Sequence, residues 1–525
     1  MYLKINLLAL RSYFRRVFTI LQKLESAASP GKTETPNSVK KLRKEIITRR
    51  DIIRDASRSG GEFVKYYSEN GFRKVVPYHY IFTAFCKRRW VNCKLLDILD
   101  KEFNFDEMDV IVQRILSGQI KVNGDKVPLD YILRDSDLLE HNVHRHELPI
   151  LDKPIDVVHE DENMLVVNKP PSMPIHPCGQ YHHNTLVKIL YNEMGMKNLR
   201  VIHRLDRMTS GLVLIGKTYD AAMKISCQIS DREVVKFYIA EVEGHFKGSI
   251  EEVHGTEEES DAPKPVIVDQ PLGRLCNKMG LNAVMPESEG GKPSKTSFVP
   301  LLWKKPQKEV GPGSTIVLAR LYTGRTHQVR VHLQYLGFPI VDDPLYNSYD
   351  WGETKGALGK YREPRSELIT ALATSRNRSA YLKAAVIYGN GTSENQATHT
   401  SNFTEDGNKS SDESAHDSVT DTSANTDEIS PPPAKMRRLS GIRYYDESTV
   451  DAETLTLLKA AHDPDCPDCN RRFAEPKMSN LVLRLHAYRY SGAEWSYSAP
   501  LPDWALESIK SEELEARIEK LLPIL

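Results

Sequence analysis

The chain has 525 residues, and its 71 lysines and arginines are balanced by 71 aspartates and glutamates. This length allows two or three domains with substantial cores, whereas the net charge does not by itself point to a polyanionic partner. No apolar run approaches the roughly 20 residues of a membrane-spanning helix, and most of the seven cysteines are scattered singly. We therefore expect neither a membrane protein nor a disulfide-stabilised secreted domain.

The N-terminal region is basic. Residues 1–75 carry about ten more basic than acidic side chains. The opening stretch, MYLKINLLALRSYFRRVFTILQKLES, has no acidic residue before Glu25 and places arginines among large apolar residues, as in a mitochondrial transit helix. The alternative is a basic amphipathic helix that binds RNA or lies on the surface. We expect a basic, partly helical extension over 1–75 and a cytoplasmic, nuclear or mitochondrial location.

Residues 76–148 have the pattern of a small α+β domain. LLDILDKEF (95–103) and VIVQRILSG (110–118) have helical apolar spacing, and the second ends on a glycine suited to a helix C-terminus. QIKVNGDKVPLDYIL then predicts two short strands around Asn123-Gly124, a strong hairpin signal. This order of elements resembles the S4 RNA-binding domain, mainly through SGQIKVNGDKV and RDSDLLEH. A small domain with no binding role is the alternative.

The rest of the chain divides where its composition changes. Residues 149–350 contain β-rich runs such as NMLVVNKP and KFYIAEVEG and are predicted to form the main domain. Residues 351–440 are predicted to be a largely disordered insertion, because much of this stretch is polar or acidic and nearly lacks aromatic residues. The strand pattern NLVLRLHAYRY marks a return of the main domain over 441–505, and an amphipathic helix is predicted within 506–525.

Blocks of unusual polar sequence follow one another in the main domain. HRLDRMTSG (203–211) is followed by KFY (236–238) and TGRTHQVRVHLQYLGFPIVDDPLY (323–346), and VNKPPSMPIHPCGQYHHNTL (167–186) precedes them. In this order the blocks closely resemble the RluA family of RNA pseudouridine synthases, and the layout is similar to its eukaryotic branch. The resemblance implies an α+β fold, with a mixed, largely antiparallel sheet, a central cleft and an N-terminal S4-like domain.

The chemistry of such a reaction can be argued from Asp206. Isomerising uridine needs a group that attacks the base or the sugar and then leaves, so that the base can be rejoined through carbon. An ionised carboxylate can do both. Asp206 precedes the apolar strand GLVLIGK, where burial would raise its pKa unless a cation stabilised the charge. Asp206 is therefore the expected nucleophile.

Arg330 is the expected charge partner of Asp206. In THQVRVHLQYLG, Val329, Leu333 and Leu336 share a helical face, and Thr326 is the expected N-cap. Arg330 follows Val329 at the edge of that face, from which it could reach a cleft while the helix stays packed. The resemblance pairs the arginine at this position with the catalytic aspartate. A structural salt bridge without chemistry is the alternative.

Two further residues take roles from the resemblance. It assigns Tyr238 to stacking on the target base, with an additional role in proton transfer, and alternation along a strand puts it on the same face as Lys236. It assigns Arg204 to the space that the flipped-out uridine leaves, where a planar guanidinium can stack on neighbouring bases. The alternatives are a core tyrosine for Tyr238, and a phosphate contact or surface ion pair for Arg204.

Other polar residues of the blocks are candidates for RNA contacts. Arg325 and His327 could meet phosphates near the helix N-terminus. His203 could contact RNA and His332 could be functional, but we favour core histidines with satisfied hydrogen bonds for both.

Cys466 and Cys469 form a single CxxC motif in DPDCPDCN. Zinc needs about four ligands, and the nearest additional candidates in the sequence are His462 and His486. The HxE motif of a zinc deaminase is missing upstream of this CxxC. We therefore expect neither a metal site nor any other cofactor.

The sequence thus predicts an RNA pseudouridine synthase, an isomerase that acts on structured RNA. We expect tRNA as the partner, with mRNA or rRNA as alternatives, and a monomer. A non-catalytic RNA-binding or folding chaperone that uses the same cleft is the alternative function. A small-molecule isomerase is not supported, because the chain has no phosphate-binding glycine motif.

Overall fold

The computed structural model describes residues 64–103, 108–247, 264–277, 279–306, 311–379, 386–387, 444–464, 466, 468–470, 472–473 and 475–525. The predicted transit helix, with the extension up to residue 63, and residues 380–385 and 388–440 of the predicted insertion lie outside the described residues. Among the helices of the described ranges, none combines the length and apolar character that crossing a bilayer requires.

The secondary structure is a mixture of strands and shorter helices. The strands are β1 (Tyr66–Glu69), β2 (Phe72–Val75), β3 (Tyr78–Phe85), β4 (Ile120–Val122), β5 (Leu138–Arg145), β6 (Ile150–Leu151), β7 (Asp156–Glu160), β8 (Met164–Lys169), β9 (Arg200–Val201), β10 (Ser210–Gly216), β11 (Val235–Glu243), β12 (Val266–Asp269), β13 (Leu272–Cys276), β14 (Leu281–Val284), β15 (Lys295–Lys304), β16 (Ser314–Leu321), β17 (Val386–Ile387), β18 (Arg472–Phe473), β19 (Leu485–Ser491) and β20 (Ser496–Ser498). The α-helices are α1 (Leu95–Ile98), α2 (Met108–Ser117), α3 (Leu186–Met194), α4 (Tyr219–Ser230), α5 (Gln328–Tyr335), α6 (Arg365–Ser379), α7 (Ala452–Ala460) and α8 (Ser511–Leu521).

The chain separates into two compact units. The small unit contains His79–Arg145, and the main unit contains Val64–Tyr78 together with the described residues of His146–Leu525. In the small unit, β3, β5 and β4 form a sheet in that order. The unit has its own apolar core, which includes Trp90, Leu95, Ile111, Ile115 and Leu133.

The Asn123-Gly124 turn of the small unit differs from the predicted hairpin. Both residues have positive φ, as a tight turn requires, but only an isolated bridge to Asp125 follows, and β4 pairs with β5 instead. The Asn123 side chain accepts a hydrogen bond from the backbone N–H of Leu138 at 2.8 Å. Because Pro128 lacks a backbone N–H, it could not donate to a continuing ladder.

A mixed sheet of ten strands forms the centre of the main unit. Its strand order is β12-β15-β16-β11-β19-β10-β8-β7, with β20 paired to β19 and β9 paired to β10. The β10–β19 pair is parallel and the other pairs are antiparallel. The predicted mixed, largely antiparallel sheet is confirmed, and β19, which follows the insertion, lies in the middle of it.

Apolar clusters on the two faces hold this sheet in place. One cluster joins β8, β10 and β11 to residues of α3, α4 and α5, including Leu186, Ile225 and Val329. The other packs α8, through Leu514 and Ile518, against alternate residues of β11, β15 and β16. Burial on both faces explains why GLVLIGK in β10 has no polar alternation.

The N-terminal boundary of the main unit lies earlier than predicted. Residues 66–75, assigned from sequence to the extension, form the β1–β2 hairpin, with Asn70 and Gly71 at positive φ in its turn. β2 also pairs with β6, and Phe72 and Leu151 pack against Met208. This hairpin therefore supports the loop that contains Asp206.

Ordered structure also extends into the segment that was predicted to be a disordered insertion. Helix α6 buries Leu368 and Leu372 in an apolar cluster with Val331, Tyr346 and Trp351. These contacts place α6 behind the helix that carries Arg330. The polar composition begins only beyond most of α6, which explains why the predicted boundary was too early.

Candidate active site

Asp206 lies in the loop that leads into β10. A turn closed by the hydrogen bond from the Thr209 N–H to the Asp206 carbonyl, at 3.2 Å, sets the direction of the loop. Gly211 then has φ +108°, and a Cβ there would lie 2.3 Å from the Ala487 backbone oxygen on β19. A glycine is therefore required where these parallel strands approach each other. The next strand after the loop is fixed on both sides, which makes the loop a rigid support for Asp206.

Helix α5 carries Arg330 into the same site. The helix begins at Gln328, and His327 precedes it in a left-handed conformation with φ +59°. The expected N-cap at Thr326 is wrong. Instead, the Gln328 side-chain oxygen accepts hydrogen bonds from the Arg325 N–H at 2.9 Å and the Thr323 hydroxyl at 2.8 Å. This tight turn points His327 and Arg330 to the same side.

The structure brings Asp206 and Arg330 into contact. Arg330 Nη1 lies 3.2 Å from Asp206 Oδ2, and His327 Nε2 lies 3.5 Å from the same oxygen. The Asp206 side chain is 23% exposed, whereas that of Arg330 is 5% exposed. The carboxylate is thus open to a substrate while its cation is buried.

Asp343 fixes Arg330 from the opposite side. Its carboxylate accepts from Arg330 Nε at 2.7 Å and from Nη2 at 2.8 Å, and its side chain has no exposed surface. The backbone N–H groups of Leu345 and Tyr346 also donate to it, at 2.9 and 3.1 Å. The Arg330 guanidinium lies 4.9 Å from the centre of the Tyr346 ring. Arg330 is therefore held in one orientation whether or not Asp206 pairs with it.

The electrostatics of the site keep Asp206 ionised. Burial alone would raise the pKa of the Asp206 carboxyl, but His327, Arg330 and Arg204 together outweigh burial and hold this pKa below its usual range. Burial lowers the pKa of His327 to about 4, so its imidazole is neutral at pH 7. Arg330 therefore supplies the permanent positive charge.

Tyr238 lies on β11 at an irregularity of the sheet. The register between β11 and β19 shifts between Phe237 and Tyr238, and such bulges re-aim side chains. Tyr238 is buried, and its hydroxyl hydrogen-bonds to that of Tyr490. Lys236 lies over the Tyr490 ring, with Nζ 5.9 Å from its centre, as expected for alternation on one face. Burial raises the pKa of Tyr238 to about 12, and the negative charge of Asp206 contributes to the rise.

Lys169 supports the Asp206 loop from the end of β8. Its ammonium is fully buried and donates to the carbonyls of Pro170 at 2.8 Å, Met173 at 3.0 Å and Arg207 at 3.2 Å. Because Arg207 is the residue after Asp206, these hydrogen bonds fix the Asp206 loop relative to the sheet. Burial lowers the pKa of Lys169 to about 7.

The remaining predicted residues occupy different environments. Arg204 is exposed, and so is Arg325, whose Nε donates to the Pro293 carbonyl at 3.2 Å. The His203 Nε2 accepts the Leu214 N–H at 3.1 Å, and His332 contacts the Thr296 hydroxyl at 2.9 Å and the Gln270 carbonyl at 3.1 Å. The two histidines thus have the structural contacts expected of core residues, whereas both arginines can reach a large ligand.

Asp343, Tyr490 and Lys169 were missed as site residues. Asp343 stands in VDDPLY beside a second aspartate, and the sequence does not indicate which of the two is buried. Tyr490 was visible only as part of an alternating strand. Lys169 stands in VNKPP at the end of an apolar strand. A lysine in that position could have indicated a buried cation.

Comparison with known proteins gives a consistent family. A family profile described as RNA pseudouridylate synthase matches residues 163–335. The human protein Pseudouridylate synthase RPUSD2 is 33% identical over 484 residues, which cover 91% of this chain and 82% of that protein.

Two relatives from Saccharomyces cerevisiae are named for their substrate positions. The mitochondrial tRNA pseudouridine(32) synthase is 39% identical over 291 residues, covering 55% of this chain and 58% of that protein. The tRNA pseudouridine(31) synthase is 27% identical over 470 residues, covering 84% and 97%. Together with the long match to the human protein, these likenesses show that the chain belongs to the RluA-type family of RNA pseudouridylate synthases and is an RNA-modifying isomerase.

Proposed function

We propose that Asp206 is the nucleophile of uridine isomerisation and that the substrate is tRNA. The observation that carries the first part is the contact of 3.2 Å between a partly exposed carboxylate and a buried arginine. Since a second carboxylate fixes that arginine, Asp206 can leave the ion pair to react without disturbing the fold.

The reaction exchanges one bond at the sugar for another. The bond between N1 of uracil and C1′ of ribose breaks, and a bond between C5 and C1′ forms. The proton on C5 leaves, and N1 ends the reaction with a proton, so atoms and charge balance. Asp206 forms a transient bond either to C1′, from which it is displaced when C5 attacks, or to the base, from which it is eliminated after the bond between C5 and C1′ has formed. An ionised carboxylate next to Arg330 is suited to both steps, because the same cation stabilises it before and after.

Tyr238 and Arg204 are assigned to the target nucleotide. Because the pKa of Tyr238 is raised to about 12, its hydroxyl stays protonated at neutral pH, and we assign the ring to stacking on the base. Arg204 is exposed two residues before the nucleophile. We assign its guanidinium to the space left in the RNA stack when the uridine flips out, and Arg325 to the RNA backbone.

The relatives and the pattern of the small unit support tRNA as substrate. Two relatives are named as tRNA pseudouridine synthases, and the sequence of the small unit resembles an S4 RNA-binding domain. We propose that this unit binds the structured RNA and that the enzyme acts as a monomer. The basic N-terminal segment, together with the mitochondrial relative, supports an additional mitochondrial location beside the cytoplasm and the nucleus.

Modification of tRNA by the purified protein tests this proposal. Bulk tRNA transcribed or isolated without pseudouridine at the candidate positions would be incubated with the protein, treated with carbodiimide and mapped by primer extension. We expect a new stop at one or a few uridines with the wild type and none with Asp206→Asn. A stop in rRNA or mRNA without any stop in tRNA would overturn the proposal that tRNA is the substrate. No stop in any RNA, with retained RNA binding, would favour the chaperone alternative.

A further inference from the structure

The CxxC motif of the returning segment lies beside a histidine that the sequence did not suggest. Cys466 and Cys469 are buried at 7% and 0% exposure. The structure places His146 next to them, with its Nε2 3.7 Å from Cys466 Sγ and 3.3 Å from Cys469 Sγ. The ligand atoms of these three residues all lie within 4.8 Å of one another. The expected candidate His486 instead contacts the Ser210 hydroxyl at 2.8 Å.

The distances match a tetrahedral metal site. Zinc binds thiolate sulfur at about 2.3 Å and imidazole nitrogen at about 2.0–2.1 Å. With tetrahedral angles, these bond lengths put the sulfur and the nitrogen about 3.6 Å apart. The two observed distances, 3.7 and 3.3 Å, lie on either side of this value. Two sulfurs and one imidazole nitrogen are also the donor set that zinc prefers.

The surroundings of the cluster are those of a metal-binding turn. The Asp463 N–H donates to Cys469 Sγ at 3.3 Å, a contact that stabilises a thiolate. The Asn470 side chain donates to the carbonyls of Pro464 at 3.0 Å and Cys466 at 2.8 Å, which holds the backbone of these two residues next to Asn470. The Tyr444 ring packs edge-on against His146, with 4.8 Å between ring centres. The ligands are thus oriented before any ion binds.

We propose that Cys466, Cys469 and His146 bind a structural Zn²⁺ ion. The ion would tie the segment that re-enters the main unit after the insertion to the loop that begins at His146 and leads into β6. This segment needs such a tie, because its apolar cluster is small and is built around Tyr67, Tyr445 and Leu458. A tetrahedral zinc site holds four donors, so one position remains for a further ligand or a water molecule.

Metal analysis of the full-length protein tests the site. The wild type, produced with zinc in the medium and passed through metal-free buffer, is expected to contain stoichiometric zinc by mass spectrometry. The double variant Cys466→Ser/Cys469→Ser is expected to lose it. Cys178→Ser/Cys227→Ser is the matched control, because both of these cysteines are exposed, and it should keep its zinc. Asp206→Asn should also keep zinc, which separates this proposal from the proposed reaction.

Spectroscopy keeps the test decisive if the double variant fails to fold. Replacing zinc by Co²⁺ in the wild type should give thiolate-to-cobalt charge-transfer bands and the intense visible bands of tetrahedral Co²⁺. A strong chelator should lower the thermal midpoint of the wild type. The proposal is overturned if the wild type has no zinc and no thiolate–cobalt bands, if its two cysteines form a disulfide, or if the folded double variant retains stoichiometric zinc.

Discussion

Two loops of the main unit present a carboxylate to the same arginine, and they do so in opposite ways. Asp343 has no exposed side-chain surface, makes two short hydrogen bonds to Arg330 and accepts two backbone N–H groups. Asp206 makes one hydrogen bond of 3.2 Å to Arg330 and is 23% exposed. The carboxylate that pairs with Arg330 is thus fully enclosed in the Asp343 loop and accessible in the Asp206 loop.

The difference separates a structural role from a chemical one. A buried arginine with a single carboxylate partner would become an unpaired buried charge whenever that carboxylate reacted, which is strongly unfavourable. With Asp343 as a permanent partner, Arg330 keeps its charge and remains in an ion pair throughout the reaction. Asp206 can therefore change its bonding without loss of stability.

The largest effect should come from Asp206→Asn. The amide is nearly isosteric but is a poor nucleophile, so we expect pseudouridine formation to fall by more than about 10³-fold. The free energy of unfolding should change by less than about 1 kcal/mol, because the Asp206 side chain is partly exposed and Arg330 keeps Asp343 as a partner. Single-turnover assays and urea unfolding would measure both. An inactive variant that is also several kcal/mol less stable would contradict the separation of roles.

Asp343→Asn should reduce stability more, and the rate less, than Asp206→Asn does. Removing its charge leaves Arg330 buried with only a partial partner, and we expect a loss of about 3–5 kcal/mol in stability. The rate should fall by about 10²-fold, since Arg330 is displaced from Asp206. Asp342→Asn is the matched control, because the neighbouring aspartate is exposed and has φ +57°, which asparagine tolerates. Equal stabilities of the two variants would show that Asp343 is not the anchor.

Lys169→Met should have a smaller effect on both quantities. Three carbonyls lose their donor, which we expect to reduce stability by about 1–3 kcal/mol. Since one carbonyl belongs to Arg207, the nucleophile loop should become less ordered and kcat should fall by about tenfold, with KM little changed. Lys217→Met, which removes a surface ion pair with Glu160, is the control. It should change stability by less than about 0.5 kcal/mol and kcat by less than about twofold. A wild-type kcat for Lys169→Met would remove Lys169 from the positioning residues.

The dependence of stability on pH should appear in two stages. Burial lowers the pKa of His203 and His486 to about 3, and that of His327 and His332 to about 4, from an ordinary 6.5. As the pH falls below 6.5, the unfolded chain therefore binds protons that the folded chain does not, and stability decreases. Each histidine contributes at most about 1.4 kcal/mol per pH unit.

The two aspartates should contribute only at lower pH. The pKa values of Asp206 and Asp343 lie below the ordinary 3.8, because neighbouring positive charges outweigh their burial. Their stabilising effect is complete above that value and is lost as the pH falls further. Thermal unfolding at pH 7.5, 6 and 5 would measure the first stage. A constant midpoint across this range would show that the histidines are not buried as described.

The sequence predicted the contact between Asp206 and Arg330, but not the residues that support it. Asp206 and Arg330 could be inferred because a buried carboxylate needs a cation and because their blocks resemble a family. Asp343 could not, since only folding decides which of two adjacent aspartates is enclosed. Thr326 was a reasonable N-cap by residue type, but the Gln328 side chain satisfies the turn instead. The sequence showed which residue types could react, but not which distant residues would contact them.

Two Asn-Gly pairs show the same limit for the fold. At Asn70-Gly71 the flanking residues pair as β1 and β2, although the surrounding charged sequence led to an extension being predicted there. At Asn123-Gly124 the hairpin was predicted, but β4 pairs with a strand further along the chain. The dipeptide specifies a tight turn in both places, and tertiary contacts decide what the chain does after it.

The pairing of β2 with β6 has a consequence for how this architecture can change. Arg73 pairs with Ile150 and Phe72 with Leu151, so the chain leaves the main unit and re-enters it on neighbouring strands. The small unit lies between β2 and β6 in the sequence, and the pairing of these strands holds the two ends of this cassette together. Such a cassette can be shortened, exchanged or grafted through a brief linker without rebuilding the catalytic sheet. Under the RNA-binding role proposed for the small unit, changes in which RNA is selected could then accumulate separately from changes in the catalytic sheet.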